Sequence, residues 1–551
     1  MSEELEQVLA YHQATKHSFA RMAPGPKAMD YGIEPAPFRR YRGAELVELD
    51  RPVPRPGEGP EYDLALTEGN VTPRPTSFET ISQLFFDCLA VSAWRRAGGA
   101  AWALRVNPSS GNLHPTEGYL ISGPVPGLFD APTISHYAPR EHALEVRGRF
   151  SDDVWREMAS GLPEGTVLVG FSSIPWRESW KYGERAFRYL HTNLGHALAA
   201  LGFASAALGW RATLLDGVGT EDLALVLGVG VADSGGAEAE AEVEIEVPDC
   251  IVAVHPQGSS VSGFDLSQEV LAGFEEVEWQ GRPDRLSPGH VNWPLVAGMA
   301  ESTAKPRGEV APEAFDETGA APRFAYPPTS FRKLIRQRRS AVVMDPASAM
   351  SRDDFYRALS RTVPGPGRFP VNLLFWRAEV HLAIFVHRVL GLDRGLYFLV
   401  RNPDHEDALR SRMREEFEWN RPEGAPTGFY RLEAGDFRDL ARTLSCNQKI
   451  ASDGCFSLAM IARFKSCLEE RGPWFYNRLC WECGLIGQTL YLEAEAAGLR
   501  GCGIGCYFDD PVSSALGLAG PESQSLYHFA IGKEVPLRRM ETLRAYPVPG
   551  R

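Results

Sequence analysis

The sequence predicts an α+β chain made of two tandem copies of one unit, and three observations carry that expectation. A long apolar helical segment in the first half recurs in the second, a capped amphipathic helix opens each half, and strand-like runs lie between the two. At 551 residues the chain is long enough for about two to four domains, each with its own core.

The repeat comes first. The segment beginning at Leu194, LGHALAALGFASAALGWRA, aligns without gaps with the segment beginning at Cys483, CGLIGQTLYLEAEAAGLRG, at an offset of about 289 residues. It pairs Gly195 with Gly484, Leu201 with Leu490, Gly209 with Gly498 and Arg211 with Arg500. Each segment reads as a central, buried helix, ended by a glycine that accepts left-handed backbone and followed by a basic residue. A second match follows each: DGVGTEDLALVLGV after Leu215 and DDPVSSALGLAG after Phe508, an acidic turn leading into a short helix.

The opening helices are legible from their caps. Thr76-Ser-Phe-Glu79 has the form of a capping box before Ile81, Leu84, Phe85, Cys88 and Leu89, which fall on one helical face. Ser351-Arg-Asp-Asp354 stands in the same relation to Phe355, Leu359 and Val363. Strand-like runs follow at Gly118 to Ser122 and Val380 to Val386, with a further one at Leu396 to Val400. The stretch from about His255 to Pro328, rich in Pro, Gly, Ser and Glu, has few periodic apolar positions and reads as a connector. The expected division is an irregular arm over 1–70, a first unit over 71–256, a connector over 257–325 and a second unit over 326–551.

Composition narrows the function classes. A formal charge of −14 argues against general affinity for nucleic acid or an anionic membrane. The start Met-Ser-Glu-Glu-Leu-Glu lacks the basic and apolar regions of a signal peptide, so a cytoplasmic protein is expected. Nine cysteines in so long a chain fit reduced thiols in that compartment.

The most informative stretch is Asn107-Pro-Ser-Ser-Gly-Asn-Leu-His-Pro-Thr-Glu117, in which glycine lets the backbone approach a ligand and Asn and Ser offer hydrogen bonds. It resembles the PS-x-G-N signature of the nitroreductase superfamily, and closely that of the SagB-type dehydrogenases. The resemblance implies that Asn107, Pro108, Ser109, Ser110, Gly111, Asn112 and His114 line a flavin and its ribityl chain from across a dimer interface. Arg338-Arg-Ser340 offers two guanidinium groups and a hydroxyl, good chemistry for a phosphate. It resembles the family's RRS-x-R motif, although Ala341, Val342 and Val343 stand where a later basic residue is usual. Lys533, Arg538 and Arg539 are therefore expected to add to phosphate binding. In Gly501-Cys-Gly-Ile-Gly-Cys506 the resemblance implies that Gly503, Ile504 and Gly505 pack against the flavin ring, where the plainer reading is a turn. Tyr11-His-Gln-Ala-Thr-Lys-His17 is similar to the amino-terminal segment of SagB-type proteins.

The resemblance implies two nitroreductase-like domains, each a central antiparallel-rich sheet flanked by helices, forming an intramolecular pseudo-dimer with FMN at the interface. The first half has the serine-glycine turn and the second the arginine pair, so one complete site and one FMN per chain are expected. Lys181-Tyr182 resembles the Lys-Tyr pair with which azoline-oxidising members move a proton while hydride goes to FMN; packing of the lysine stem and tyrosine ring is the alternative. The expected activity is that of an FMN-dependent oxidoreductase acting on a small molecule or a modified peptide. It is either an NAD(P)H-dependent reductase of nitro or quinone-like compounds or a SagB-type dehydrogenase, with a non-catalytic flavin-binding or scaffold protein as the competing class. An internal pseudo-dimer removes the usual reason to dimerise, so a monomer is expected ahead of a homodimer.

Other constellations carry less. Cys480 and Cys483 read as buried thiols, without the partners a zinc site needs, and no metal is expected. Cys502 and Cys506 suit a tight loop, and His191 and His196 local hydrogen bonds within the buried helix. The acidic run Glu238 to Glu246 reads as a solvated edge or hairpin.

Overall fold

Two antiparallel sheets with the same strand order dominate a computed structural model that describes residues 2–52, 59–230, 244–308, 313, 326–365, 367–537 and 539–546. The first sheet holds β1 (Leu46–Glu48), β2 (Thr116–Ser122), β3 (Thr133–Ala138), β4 (Ala143–Arg149), β5 (Val167–Ser173), β6 (Trp210–Leu214) and β7 (Val247–Pro256). Their order is β1-β4-β3-β2-β5-β7-β6, every pair antiparallel. The second holds β8 (Val380–Val386), β9 (Gly395–Leu399), β10 (Phe429–Ala434), β11 (Phe456–Arg463), β12 (Arg500–Ile504) and β13 (Ser523–Gly532), ordered β10-β9-β8-β11-β13-β12 and again antiparallel. Without β1 the two orders correspond strand for strand. The central strands are apolar on both faces because both faces are covered, as in Val380–Val386, where every residue is buried.

Among the helices, α1 (Glu3–Ala14), α2 (Phe78–Cys88), α3 (Pro175–Tyr182), α4 (Ala186–Ala207), α5 (Phe331–Gln337) and α6 (Phe475–Ala496) shape the site. Helices α4 and α6 are 22 residues each and pack directly on one another. Their starts and their ends are both separated by the repeat offset. A Cβ on Gly195 would strike the carbonyl oxygen of Trp481, and one on Gly484 the carbonyl oxygen of Thr192. Thr192 and Trp481 are themselves repeat partners, so the contact is isologous, as across a two-fold axis. The glycines after these helices, Gly209 and Gly498, both have φ of 71°.

Several boundaries differ from the sequence reading. Helix α2 is capped by Ser77, boxed with Thr80, one residue later than expected; the Thr76 hydroxyl instead donates to the carbonyl of Gly165 at 2.6 Å. Ser351 caps its helix with Asp354 as read. The first seventy residues are more ordered than an arm: α1 buries Leu5, Val8 and Tyr11, and β1 extends the first sheet. The connector contains the helix Gln268–Glu275, which sends Val270, Leu271 and Phe274 into the core beside the first sheet, and the helix Pro294–Ser302. Of the acidic run, residues 238–243 lie outside the described residues, but Glu244 and Glu246 are not solvated. Glu246 accepts from the hydroxyls of Tyr41, Tyr119 and Ser172, and Glu244 from the amides of Leu286 and Ser287. At the other end, Glu541–Leu543 pairs with Val91–Ala97 of the first half, so the chain ends interleave the lobes. Among the described residues no helix is long and apolar enough to cross a membrane.

Candidate functional site

The serine-glycine turn and the arginine pair meet where the lobes join. The strand Ala100–Arg105 delivers the chain to Asn107 and Pro108, both buried, and the turn that follows is held from all sides. The Ser110 amide donates to Asn193 Oδ1 of α4 at 2.8 Å, the His114 amide to Ser109 Oγ at 2.9 Å, and Asn112 Nδ2 to the carbonyl of Ala103 at 2.8 Å. Gly111, Asn112 and His114 all have positive φ, between 52° and 61°. Left-handed backbone at two non-glycine residues is held only where the surroundings enforce it.

From the second lobe, α5 ends at Gln337 and hands Arg338 to the base of that turn. Arg338 Nε and Nη2 donate to the carbonyls of Val106 and Arg105, each at 3.1 Å, while its buried Nη1 has no partner. Arg339 donates to the carbonyls of Arg336, Arg338 and Ser92. Neither guanidinium has an ion pair among the described residues. Burial pulls Arg338 down to about 10, opposed by Tyr491 and reinforced by Arg500 and Arg95. Burial, then the like charges of Arg338, Arg336 and Arg500, pulls Arg339 down to about 9. Arg338 and Arg339 are adjacent cations, one buried and one half-buried, whose mutual repulsion an anion would relieve. Ser340 completes it, its hydroxyl 2.8 Å from that of Tyr491, which also accepts from the Gly503 amide at 2.9 Å.

The glycine-rich stretch is the edge strand β12 and its exit. Its glycines make room for aromatic rings: a Cβ on Gly501 would meet Phe529 at 2.6 Å, one on Gly503 would overlap the Tyr527 hydroxyl, and one on Gly505 would meet Tyr189 at 2.6 Å. Strand alternation turns Ile504 to the other face, into a small core with Ala341, Met344 and Ala530, so only its backbone faces the site. Of the carboxyl-terminal basic residues expected to add to phosphate binding, none is buried among the described residues. Lys533 and Arg539 are exposed, and Arg538 lies outside the described residues. Besides Arg338, the cations whose fields reach Arg339 include Arg336, Arg500 and Arg95.

Helix α3 closes the other side. Glu178, Lys181 and Tyr182 stand at i, i+3 and i+4, hence on one face. A Cβ on Gly111 would lie 2.7 Å from the Tyr182 hydroxyl and 3.2 Å from Lys181 Nζ, which fixes both tips at the turn. Glu178 Oε1 accepts from Asn193 Nδ2 at 2.6 Å and from Ser109 Oγ at 3.4 Å, and its buried Oε2 has no partner. Further buried polar atoms without partners are Asn107 Oδ1, His114 Nδ1, His196 Nδ1 and Gln488 Oε1. A cation pair beside such acceptors suits a phosphorylated, polyhydroxylated ligand such as FMN. Sequence reasoning missed Glu178, Asn193, Gln488 and Tyr491; the signal for Glu178 was its helical spacing from Lys181.

The pseudo-equivalent place between the lobes is filled differently. The repeat offset pairs Tyr491 with Gly202, and Pro370 sits 3.0 Å from where a Gly202 Cβ would be. It pairs Tyr189 with Arg478, whose Nη2 forms a buried ion pair with Asp216 at 2.6 Å. There Pro370 and Leu373 lie against Gly202, and the Arg478–Asp216 ion pair stands where the other side has Tyr189.

Two further features border the site. Cys446 and Cys506 form a disulfide, Cα atoms 5.9 Å apart, which corrects the expectation of reduced thiols throughout; Cys480 and Cys483 are buried thiols. The Tyr11–His17 motif clasps the lobes. Tyr11 donates to the carbonyl of Glu184 and Arg188 to that of His12, while Asp509 accepts from the His17 amide at 2.8 Å, Arg188 at 2.6 Å and Arg185 at 3.0 Å. Burial would raise Asp509, but the two arginines hold it well below the usual carboxylate range.

Against known proteins, residues 396–533 match the model of the nitroreductase family. A crystal structure of a protein assigned as a nitroreductase from Anabaena variabilis superposes with a TM-score of 0.68 at 20% identity, covering 96% of this chain and 99% of that one. An FMN complex of a protein so assigned from Exiguobacterium sibiricum covers 40% of this chain and 93% of its own at 15% identity, with a TM-score of 0.24. The E. coli microcin synthetase McbBCD complex covers 47% and 94% at 16% identity, with a TM-score of 0.27. Only the first of these likenesses bears on the fold, and it spans both lobes. Among curated proteins, none matches the chain in sequence.

Proposed function

We propose, for a chain whose residues 396–533 form a nitroreductase-family domain and whose two halves together take that fold, that it is an oxidoreductase holding one FMN between its lobes. The observation that carries this reading is the Arg338–Arg339 pair, Arg338 buried and Arg339 half-buried, without an ion-pair partner among the described residues and set against the turn that starts at Asn107. Bound there, FMN would supply hydride transfer at its ring N5. Arg338 and Ser340 would hold the phosphate. Asn107 Oδ1 and Gln488 Oε1 are acceptors suited to ribityl hydroxyls. Lys181 and Tyr182, with their tips at Gly111, would give or take the accompanying proton. The different residues at the pseudo-equivalent place, Pro370 against Gly202 and the Arg478–Asp216 ion pair, support one cofactor per chain.

Two substrate classes fit: nitro or quinone-like compounds reduced at the expense of NAD(P)H, and azoline rings of a modified peptide oxidised in SagB-type fashion. The position of the Lys181–Tyr182 pair favours the second. Reconstitution with FMN, followed by the visible spectrum, stoichiometry and anaerobic mixing with NADH or NADPH, tests the whole. One FMN per chain is expected. Rapid bleaching by the reductant marks the reductase, and a bound flavin that NAD(P)H leaves oxidised directs the assay to azoline peptides. A chain that retains FMN but turns over neither class is a flavin-binding scaffold, and one that takes up no FMN overturns the proposal.

A further inference from the structure

Among the described residues, Glu178 is the buried carboxyl hydrogen-bonded to the serine-glycine turn, and no charged partner is bonded to it. Its placement is specific. It lies one helical turn before Lys181 and Tyr182 on the same face of α3, so the three side chains flank one short segment, Glu178 at Ser109 and the other two at Gly111. Through Oε1 it fixes the Asn193 amide: Nδ2 donates to Glu178, which leaves Oδ1 to accept the Ser110 amide. The turn's left-handed backbone therefore rests on a relay that ends at this carboxyl. Its second oxygen is buried without a hydrogen bond, and an ionised oxygen there would lack a compensating donor.

Resting on the reading of this cleft as an FMN site, we propose that Glu178 is a positioning residue that works as a neutral carboxylic acid, keeping the turn shaped for the cofactor and weakening its grip when ionised. The groups that face it are Lys181 and Tyr182 from its own helix, Asn193 from α4 and Ser109 from the turn. Burial is the dominant influence and raises Glu178 to about 8, against the hydrogen bonds of Asn193 and Ser109 and the field of Lys181. Above that pH the added negative charge would sit beside a turn whose ligand is itself anionic, so affinity should fall as pH rises.

The test is FMN binding by the whole chain, followed by quenching of flavin fluorescence from pH 6.5 to 9.5, for the native protein and for Glu178→Gln. The glutamine keeps the shape and the acceptor of the neutral acid but cannot ionise. Native affinity should fall above the midpoint near 8, by at most about tenfold per pH unit, whereas Glu178→Gln should bind as the native protein does at low pH and show no inflection there. A merely structural role for the carboxyl would alter stability without moving the pH profile of binding. An inflection near pH 8 that persists in Glu178→Gln, or a native profile flat through pH 8, overturns the role of Glu178 while leaving the FMN site standing. Absence of FMN uptake at every pH overturns the site and this inference together.

Discussion

Arg338 concentrates the chemistry of the site in one side chain. Two of its nitrogens donate to the carbonyls of Arg105 and Val106, tying the lobes at the base of the turn, and the third is buried without a partner. A charge-assisted hydrogen bond contributes about 1.5–3 kcal/mol. Arg338→Ala is therefore expected to weaken FMN binding about 10- to 100-fold in a fluorescence titration, with Arg338→Lys recovering only part, because lysine cannot span carbonyl and phosphate together. Native affinity in Arg338→Ala would remove this residue from the site. The sequence displayed Arg338 and Ser340 by their chemistry, but it gave Lys533 an equal place. What separates them is direction: Arg338 enters the interface, whereas Lys533 follows the last residue of β13 into solvent.

At the scale of elements, the pairing of α4 with α6 governs how closely the lobes approach. Gly195 and Gly484 permit backbone to meet backbone, and neither position has room for a side chain. Gly195→Leu should cost about 3 kcal/mol or more by overpacking and should lower FMN retention together with the melting temperature, because Asn193 and His196 ride on the same helix. Melting unchanged from native would show that the helices can separate without penalty. The Cys446–Cys506 bridge closes a loop with a sequence separation of 60, and opening it is expected to cost about 4 kcal/mol. Titration of the denatured, unreduced protein should find seven reactive thiols, the free cysteines of the structure; nine would mean that the bridge does not form in solution. The buried helices were legible because their apolar residues run round the whole circumference. The helix Gln268–Glu275 was not, since eight residues inside a Pro- and Gly-rich stretch are too few to show a period above the background.

Across the whole molecule, Asp509 ties three parts of the chain. It receives the His17 amide from the amino-terminal motif, Arg185 and Arg188 from the first lobe, and itself opens the helix Asp509–Leu516 of the second. Its carboxyl is depressed in the folded state. The stability it contributes is therefore complete above the ordinary aspartate value of about 3.9 and is lost as pH falls through the lowered folded value. Asp509→Asn should destabilise the protein by about 3–5 kcal/mol at neutral pH, by leaving two buried guanidiniums short of charge, and should flatten the acid limb of its unfolding profile. Equal stability of variant and native protein at pH 7 would show that the arm and lobes hold without this ion pair.

The sequence by itself determined that there are two related halves, that each is built on a buried helix, and that a polar turn in one and an arginine pair in the other are separated for a reason. Periodicity, caps and residue chemistry are local properties, and they survive in one dimension. Only the tertiary structure decided which face of β12 looks into the cleft, that the arm and connector are packed parts of the fold, that Cys446 reaches Cys506, and that Glu178 and Asn193 hold the turn. Those depend on which distant segments are neighbours, and a contact between residues far apart in sequence leaves no mark on the spacing of either.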